Sequence, residues 1–371
     1  MNNKNLIAPL VDLKAEYKLI EDEVNTAIKK VLESSSFVLG EEVTLLEEEI
    51  ANYCQVKYAI GVSSGTDALF LPLLALDLKP GDEVITTPFT FIATAEAIAL
   101  CGAKPVFVDI NPFTFNIDIS KIENIITPKT KALIPVHLYG QPADMTPIME
   151  LAKKYNLFVM EDAAQAIGAE YKGKKVGSMG HVGALSFFPA KNLGCYGDGG
   201  MILTNDDELN QKLRMLRVHG SAIRYVHKYI GTNARLDTIQ AAILRVKLRY
   251  LDEWTEKRRN KANIYSNLLN HPEIKTPYVE SHNYHVYNQY TIRVKNRDSL
   301  KSKLLEEGIP TAIHYPIPLH LQEAFSYLKY KEESFPESEA AAKEVLSLPM
   351  YPELKEDCVD TIVNLILKHI K

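Results

Sequence analysis

The sequence predicts an α/β protein in which a mostly parallel sheet is sandwiched by helices and followed by a smaller C-terminal α+β unit. Three observations carry this. Seven short apolar or β-branched runs (58–62, 83–87, 105–108, 132–136, 157–160, 184–188 and 201–204) lie mostly between helical stretches, the pattern of βαβ units. The chain is 371 residues long, enough for two domains at about 100–200 residues each. After residue 254 the strand–helix rhythm gives way to charged helices around one strand, which sets the expected division at 1–254 and 255–371.

Leu13, Tyr17, Ile20, Val24, Ile28 and Val31 recur at three- and four-residue steps, so an amphipathic helix opens the chain and acts as a packing element. Helices at 66–78, 91–101 and 144–155 separate the strands that follow. Parallel sheets of this kind bind ligands beyond the C-terminal ends of their strands. A helix from about Asp207 precedes one long helical pattern through Leu236, Ile239, Ile243, Val246, Tyr250 and Trp254, the only tryptophan. Beyond it come a charged helix, a His/Asn/Tyr-rich connection (281–288), a strand at 289–294, and helices near 297–307, 336–347 and 355–369.

Composition removes several function classes. Hydrophobic residues make up 46% and charged residues 24%, which is ordinary for a folded soluble protein. With 42 Lys and Arg against 47 Asp and Glu the net charge is −5, and no basic block supplies the phosphate-neutralising surface that nucleic-acid binding requires. No stretch approaches the ~20 uninterrupted apolar residues of a membrane span, and the opening MNNKNLIAPLVDLKAEYK has no apolar signal core. The expectation is a cytoplasmic protein with neither nucleic acid nor membrane as partner. Cys54, Cys101, Cys195 and Cys358 are far apart and read as buried or idle thiols. His282 and His285, even with His314, lie without a carboxylate partner in a connecting segment, so no metal site is expected.

Two glycine motifs mislead. Gly168 to Lys175 nearly matches a phosphate-binding loop, but it ends in Lys where a magnesium-holding Ser or Thr belongs, and a hairpin turn around Lys172-Gly173-Lys174 is the better reading. Gly194 to Gly200 runs into a strand instead of out of one into a helix, so it is no dinucleotide fingerprint and serves to let the backbone turn tightly.

Four other features converge. In Ser63-Ser64-Gly65-Thr66 a strand gives way to a helix, whose free N–H groups and dipole form an anion site, although a plain N-cap by Ser64 or Thr66 explains the same residues. Thr87-Pro88-Phe89-Thr90-Phe91 puts aromatics after a strand, where Phe91 is either a stacking platform or ordinary core. Glu161 and Asp162 end the apolar strand from Leu157; a carboxylate there either braces a loop or balances a protonated ring nitrogen. Lys191 follows a buried strand and precedes the glycine run, a position where an amine loses its proton below the usual ~10.4 and forms a Schiff base. Anion cradle, aromatic, acid and amine together match the needs of pyridoxal 5′-phosphate.

These residues lie in segments that resemble the DegT/DnrJ/EryC1/StrS sugar aminotransferases along nearly the whole chain: SSGTDAL (63–69), PFTFIAT (88–94), HLYGQPADM (137–145), EDAAQAIGA (161–169), SFFPAKNLGCYGDGG (186–200), GTNARLDTIQAAIL (231–244) and IHYPIPLH (313–320). The resemblance implies a fold-type-I architecture with Lys191 as Schiff-base lysine, Asp162 as ring-nitrogen partner and Gln165 at the phenolic oxygen. It further implies Phe91 stacked on the ring, Gly65, Thr66 and Ser186 at the phosphate, and Asn233 reaching that phosphate from the other subunit of a homodimer. Arg235, His314 and Tyr315 match positions lining the nucleotide-sugar pocket. The implied reaction moves an amino group from L-glutamate to a nucleotide-linked keto sugar. The YGDGG, NARLDT, Gln289–Arg293 and HYPIP segments resemble the 3-keto branch, which favours a UDP-linked 3-keto-N-acetylhexosamine or its uronic acid, with a dTDP-linked 3-keto-6-deoxyhexose as alternative. A sugar dehydratase on this scaffold typically has histidine at the lysine position, and a non-catalytic cofactor-binding regulator would not need lysine and acid together.

Overall fold

The computed structural model describes residues 6–370. Asp12 caps helix α1 (Leu13–Ser34) by accepting from the N–H groups of Lys14 and Ala15. Helix α2 (Glu41–Cys54) follows. The chain then alternates as β1 (Tyr58–Val62), α3 (Gly65–Ala75), β2 (Glu83–Thr86), α4 (Ala93–Leu100), β3 (Lys104–Phe107), β4 (Thr130–Leu133), α5 (Met145–Tyr155) and β5 (Phe158–Asp162). A short hairpin, β6 (Glu170–Tyr171) and β7 (Lys174–Lys175), turns through Lys172-Gly173, as the sequence predicts. Next come β8 (Val182–Ser186), β9 (Gly200–Thr204), α6 (Asp207–Leu216) and the hairpin β10 (Ser221–Ile223) and β11 (Val226–His227).

The seven-stranded sheet has the order β1-β9-β8-β5-β4-β2-β3. The pairs β8/β5, β5/β4, β4/β2 and β2/β3 are parallel, and β9 alone runs antiparallel to both its neighbours. Its direction follows from the connection. Residues 187–199 leave the end of β8 and enter β9 at that same end, Ser186 opposite Gly200, without crossing to the other end of the sheet, so β9 pairs antiparallel with β8. The result places the ends of β1, β5 and β8 and the start of β9 along one sheet edge.

The rest of the chain departs from the sequence reading at four places. Helix α2 has no counterpart in that reading, although Val43, Leu46, Ile50 and Cys54 are buried at helical spacing. The long pattern from 236 to 254 is two helices, α7 (Thr238–Leu248) and α8 (Leu251–Leu268). The periodicity runs through the break because Val246 and Trp254 join the same apolar cluster as Ile20 and Val24 of α1. The connection 281–288 contains β12 (Asn283–Tyr284), which pairs with β6. Finally, after β13 (Tyr290–Arg293) and α9 (Arg297–Glu306), helix α10 (Pro336–Glu344) stops short, and Val345–Leu348 form strand β14 against β13. The run Val345-Leu346-Ser347-Leu348 is buried on every residue, which suits a covered strand better than one face of a helix. Helix α11 (Glu356–Ile370) ends the described chain. It packs with Tyr265, Tyr290, Leu304 and Leu348 into an apolar core separate from those flanking the large sheet.

One buried charge ties the early helices to this sheet. Glu47 of α2 accepts from Arg214 Nη1 at 2.7 Å, Arg217 Nη1 at 2.6 Å and the Gly61 N–H at 2.8 Å. Replacing one partner of such a set leaves the others charged and desolvated. Glu47→Leu is therefore expected to lower unfolding free energy by about 3–5 kcal/mol, measured as a shift of the urea midpoint at unchanged slope.

Candidate active site

The site grows from the sheet edge. At the end of β1, Ser64 accepts from the Asp67 N–H at 3.0 Å and caps α3. The cap and the anion site of the sequence analysis coexist, because the cap satisfies one N–H and leaves those of Gly65 and Thr66 without intrahelical partners. Both residues line a cavity of about 460 Å³. Gly65 is required by proximity: a Cβ there would lie 2.6 Å from Ser186 Cβ, so the start of α3 and the end of β8 are pressed together. Gly200 faces the same demand, with a Cβ falling 2.2 Å from the Ser64 carbonyl oxygen.

Strand β5 delivers its two carboxylates to different tasks. Glu161 is fully buried and accepts from His137 Nε2 at 3.0 Å and from the N–H groups of Gly177, Met179 and Gly180 at 2.8, 2.7 and 2.6 Å. His137 Nδ1 accepts from the Ala143 N–H, which leaves the hydrogen on Nε2. Glu161 is thus the loop-bracing acid. Asp162 lines the cavity, its Oδ2 accepting from Thr94 Oγ1 at 2.7 Å and its Oδ1 from the Ala164 N–H at 3.2 Å. Burial raises its pKa, and those two hydrogen bonds and Lys191 oppose the rise. Such a carboxylate gains from a cationic ligand.

Lys191 sits on a closed turn. Its N–H donates to the Phe188 carbonyl, Cys195 N–H donates to Phe187, and Phe187 N–H donates to Gly199, so the segment returns on itself before β9 begins. Burial pushes the Lys191 amine down to about 8, against the pull of Asp162 in the other direction. Burial equally pushes the Cys195 thiol up to about 11, in keeping with an idle thiol.

The aromatic residues sort by role. Phe89 is buried in the core, while Phe91 is 54% exposed and lines the cavity, with its ring 6.0 Å from that of Tyr315. The core explanation of Phe91 therefore fails. Gln165 accepts from the Tyr139 N–H at 2.7 Å and donates through Nε2 to the Tyr315 hydroxyl at 3.0 Å. His314 shares a hydrogen bond with Ser347 Oγ at 2.8 Å through Nδ1, and burial, then Lys191, push its pKa down to about 4. It faces the cavity as a neutral imidazole.

Of the residues named from sequence, Gly65, Thr66, Phe91, Asp162, Gln165, Ser186, Lys191, His314 and Tyr315 line one cavity, and Asn233 and Arg235 do not. Those two are outside its lining, Arg235 Nε donating to Asn233 Oδ1 at 2.8 Å. Asn288, which has no site role in the sequence reading, and Gln289, named there only as the start of the 289–293 segment, also line the wall. The fit to a phosphorylated aromatic aldehyde rests on this wall: a glycine cradle at a helix start, an acid short of a cation, an exposed ring and an amine of lowered pKa.

Residues 18–367 match the model of the DegT/DnrJ/EryC1/StrS aminotransferase family. A pleiotropic regulatory protein of Geobacillus stearothermophilus is 54% identical over 361 residues, covering 96% of this chain and 97% of its own. A UDP-N-acetyl-3-dehydro-alpha-D-glucosamine 3-aminotransferase of Acidithiobacillus ferrooxidans is 48% identical over 363 residues, 98% of each chain. The X-ray structure of S. venezuelae DesV in complex with a ketimine intermediate superposes with a TM-score of 0.96 at 43% identity, again over 98% of each chain. Fold, cavity and sequence thus meet in one conclusion: the chain belongs to the DegT/DnrJ/EryC1/StrS aminotransferase family.

Proposed function

We propose that this aminotransferase carries an amino group from L-glutamate to C3 of a UDP-linked 3-keto-N-acetylhexosamine or its uronic acid, with pyridoxal phosphate as cofactor. The observation that carries the reading is the single cavity holding Lys191, Asp162 and the Gly65–Thr66 cradle. The UDP-linked 3-keto sugar is favoured by the name of the 48% identical relative. The bound cofactor supplies an aldehyde for amines to join and a protonated ring that withdraws electrons from the reacting carbon.

The chain's own residues do the rest. The N–H groups of Gly65 and Thr66 and the Ser186 hydroxyl would hold the phosphate oxygens, all three residues lining the cavity. Asp162, fixed by Thr94 and Ala164, holds the proton on the ring nitrogen by charge. Lys191 would serve as the base that removes a proton from the carbon bearing the amine and returns it to the carbon on the other side of the nitrogen, a 1,3-shift. It must be neutral to do so, and an amine with pKa about 8 is neutral in about a tenth of molecules at pH 7 and about half at pH 8. Arg235 and Asn233 serve the site of a partner copy in a homodimer, where a guanidinium suits the diphosphate.

Borohydride reduction and peptide mapping should place the cofactor on Lys191 alone, and L-glutamate without sugar should shift the visible spectrum and release 2-oxoglutarate at a rate that rises with pH through about 8. Lys191→Ala should slow proton transfer by at least about a hundredfold. A cofactor-binding regulator would leave the spectrum unchanged.

Asp162→Asn keeps the shape but not the charge. Cofactor should still bind while single-turnover transfer falls by about a hundredfold or more, read by stopped-flow absorbance.

For the shared site, Lys191→Ala subunits mixed with Asn233→Ala/Arg235→Ala subunits should regain about a quarter of full activity, since half the random dimers are hybrids with one intact site each. Each parent alone should be nearly inactive.

A further inference from the structure

Lys247 is an unusual residue to find where it is. It lies on α7 with only 1% of its surface exposed, among the largest fully buried side chains of the protein. A buried ammonium must be paired and hydrogen-bonded or it loses its charge. Here Nζ meets Glu16 Oε1 of α1 at 2.5 Å, donates to the Gly194 carbonyl at 2.6 Å, and stands 4.4 Å from the centre of the Tyr196 ring. A buried ion pair is poor evidence of a gain in stability, since apolar residues of like volume serve as well. What distinguishes this pair is its third partner.

Gly194 closes the turn that carries Lys191. A Cβ at Gly194 would fall 2.3 Å from the Pro189 carbonyl oxygen, so the two ends of the turn, residues 189 and 194, touch through backbone. Two residues on, Tyr196 is held from the same helix and from α1: Gln240 Oε1 accepts from the Tyr196 N–H at 2.8 Å, and Tyr17 of α1 meets the Tyr196 ring edge-on at 6.0 Å. The far side of the turn is fastened independently, Asn192 Nδ2 donating to the Val286 carbonyl at 3.0 Å. Of these ties, the one to the Gly194 carbonyl is made by a charged donor, and charged donors make the shorter, stronger bonds.

We propose that Lys247, held by Glu16, is a positioning residue for the reactive lysine: its bond to the Gly194 carbonyl fixes the turn on which Lys191 approaches Asp162. The first helix of the chain thereby acts on the site through Glu16 without touching it. This rests on Lys191 being the reactive amine, as proposed above.

The direction of the effect follows from what sets the state of Lys191. Burial is the larger influence and Asp162 the smaller. A loosened turn admits water, and the amine returns towards ordinary lysine behaviour. A displacement of about 1 Å also costs on the order of a hundredfold in rate.

The test uses Lys247→Met, which removes charge and donor at similar volume, Lys247→Arg, which keeps both, and Glu16→Gln, which removes only the counter-charge. The reactivity of Lys191 towards acetic anhydride is followed by peptide mass spectrometry across pH on cofactor-free protein, beside the amino-acid half-reaction of the holoenzyme. Lys247→Met should move the labelling midpoint of Lys191 upward from about 8 and slow the half-reaction by roughly tenfold or more with little change in the concentration of glutamate needed. Glu16→Gln should shift both in the same sense by less, and Lys247→Arg should restore much of the loss. Should Lys247→Met fail to fold, Glu16→Gln carries the test. Folded variants with a lower melting temperature but an unchanged Lys191 midpoint and half-reaction would overturn the proposal. A wild-type protein whose cofactor maps to another lysine would instead remove the functional reading beneath it.

Discussion

The geometry of the site depends on Glu161, a carboxylate with no contact with water and four donors around it. Successive side chains of a strand point to opposite faces, so fastening Glu161 on one side of β5 aims Asp162 to the other. The donors come from two segments, the loop before β8 and His137 beyond β4. One carboxylate therefore sets the level of three adjacent strands. Where the loop passes beneath, glycine is obligatory: a Cβ on Gly183 would sit 2.4 Å from Gly177 Cα. The His137 N–H donates to the Asp162 carbonyl, and the Asp162 N–H to that of Pro135, so the backbone is locked by the same neighbours. A site acid held this way needs no reorganisation when charge develops beside it.

The antiparallel strand β9 is the second constraint, and it explains why the lysine lies where it does. Because β9 starts opposite the end of β8, the connection turns at the sheet edge where β1 and β5 also end, and Lys191 rides on that turn. Leu193 and Cys195 sink into the core beneath it, which leaves Lys191 and Phe188 on the cavity side. Sheet topology, more than any local motif, brings amine and acid together.

This difference in origin decides what the sequence reveals. All seven strands of the sheet were legible because each is an apolar run set off by polar turns, and that Lys191, Asp162 and the Gly65–Thr66 segment line one cavity was legible because each lies at or beyond the end of a strand, and those strands end at the same sheet edge. The bracing task of Glu161 was not, since its donors His137, Gly177, Met179 and Gly180 lie 16 to 24 residues away in sequence. The break between α7 and α8 was hidden for a related reason: the apolar spacing records which face is buried, and both helices bury theirs against the same first helix. Val345–Leu348 read as helix because four buried residues carry no period. Lys247 was invisible as a special lysine, since its partners Glu16 and Gly194 are 231 and 53 residues away in sequence.

Charge supplies the last step. Among the described residues that line the cavity, Lys191 is the sole Lys or Arg, set against Asp162 and Asp198. Both proposed substrates are anionic, a dicarboxylic amino acid and a sugar on a diphosphate, and anions of that kind are held best by guanidinium groups. Arg293, on the strand that follows the cavity wall, is committed elsewhere, to Glu344 and the Pro112 carbonyl. Its charge is already neutralised and its geometry filled. Among the described residues Arg235 hydrogen-bonds through its side chain to the amide of Asn233, just before α7, and is not in the lining of the cavity of its own chain. A site that gathers acid, amine, cradle and ring within one chain, with Lys191 as the one cation on its wall, is short of a guanidinium for anionic substrates, and this shortfall is what supports the proposal that Arg235 serves the site of a second copy.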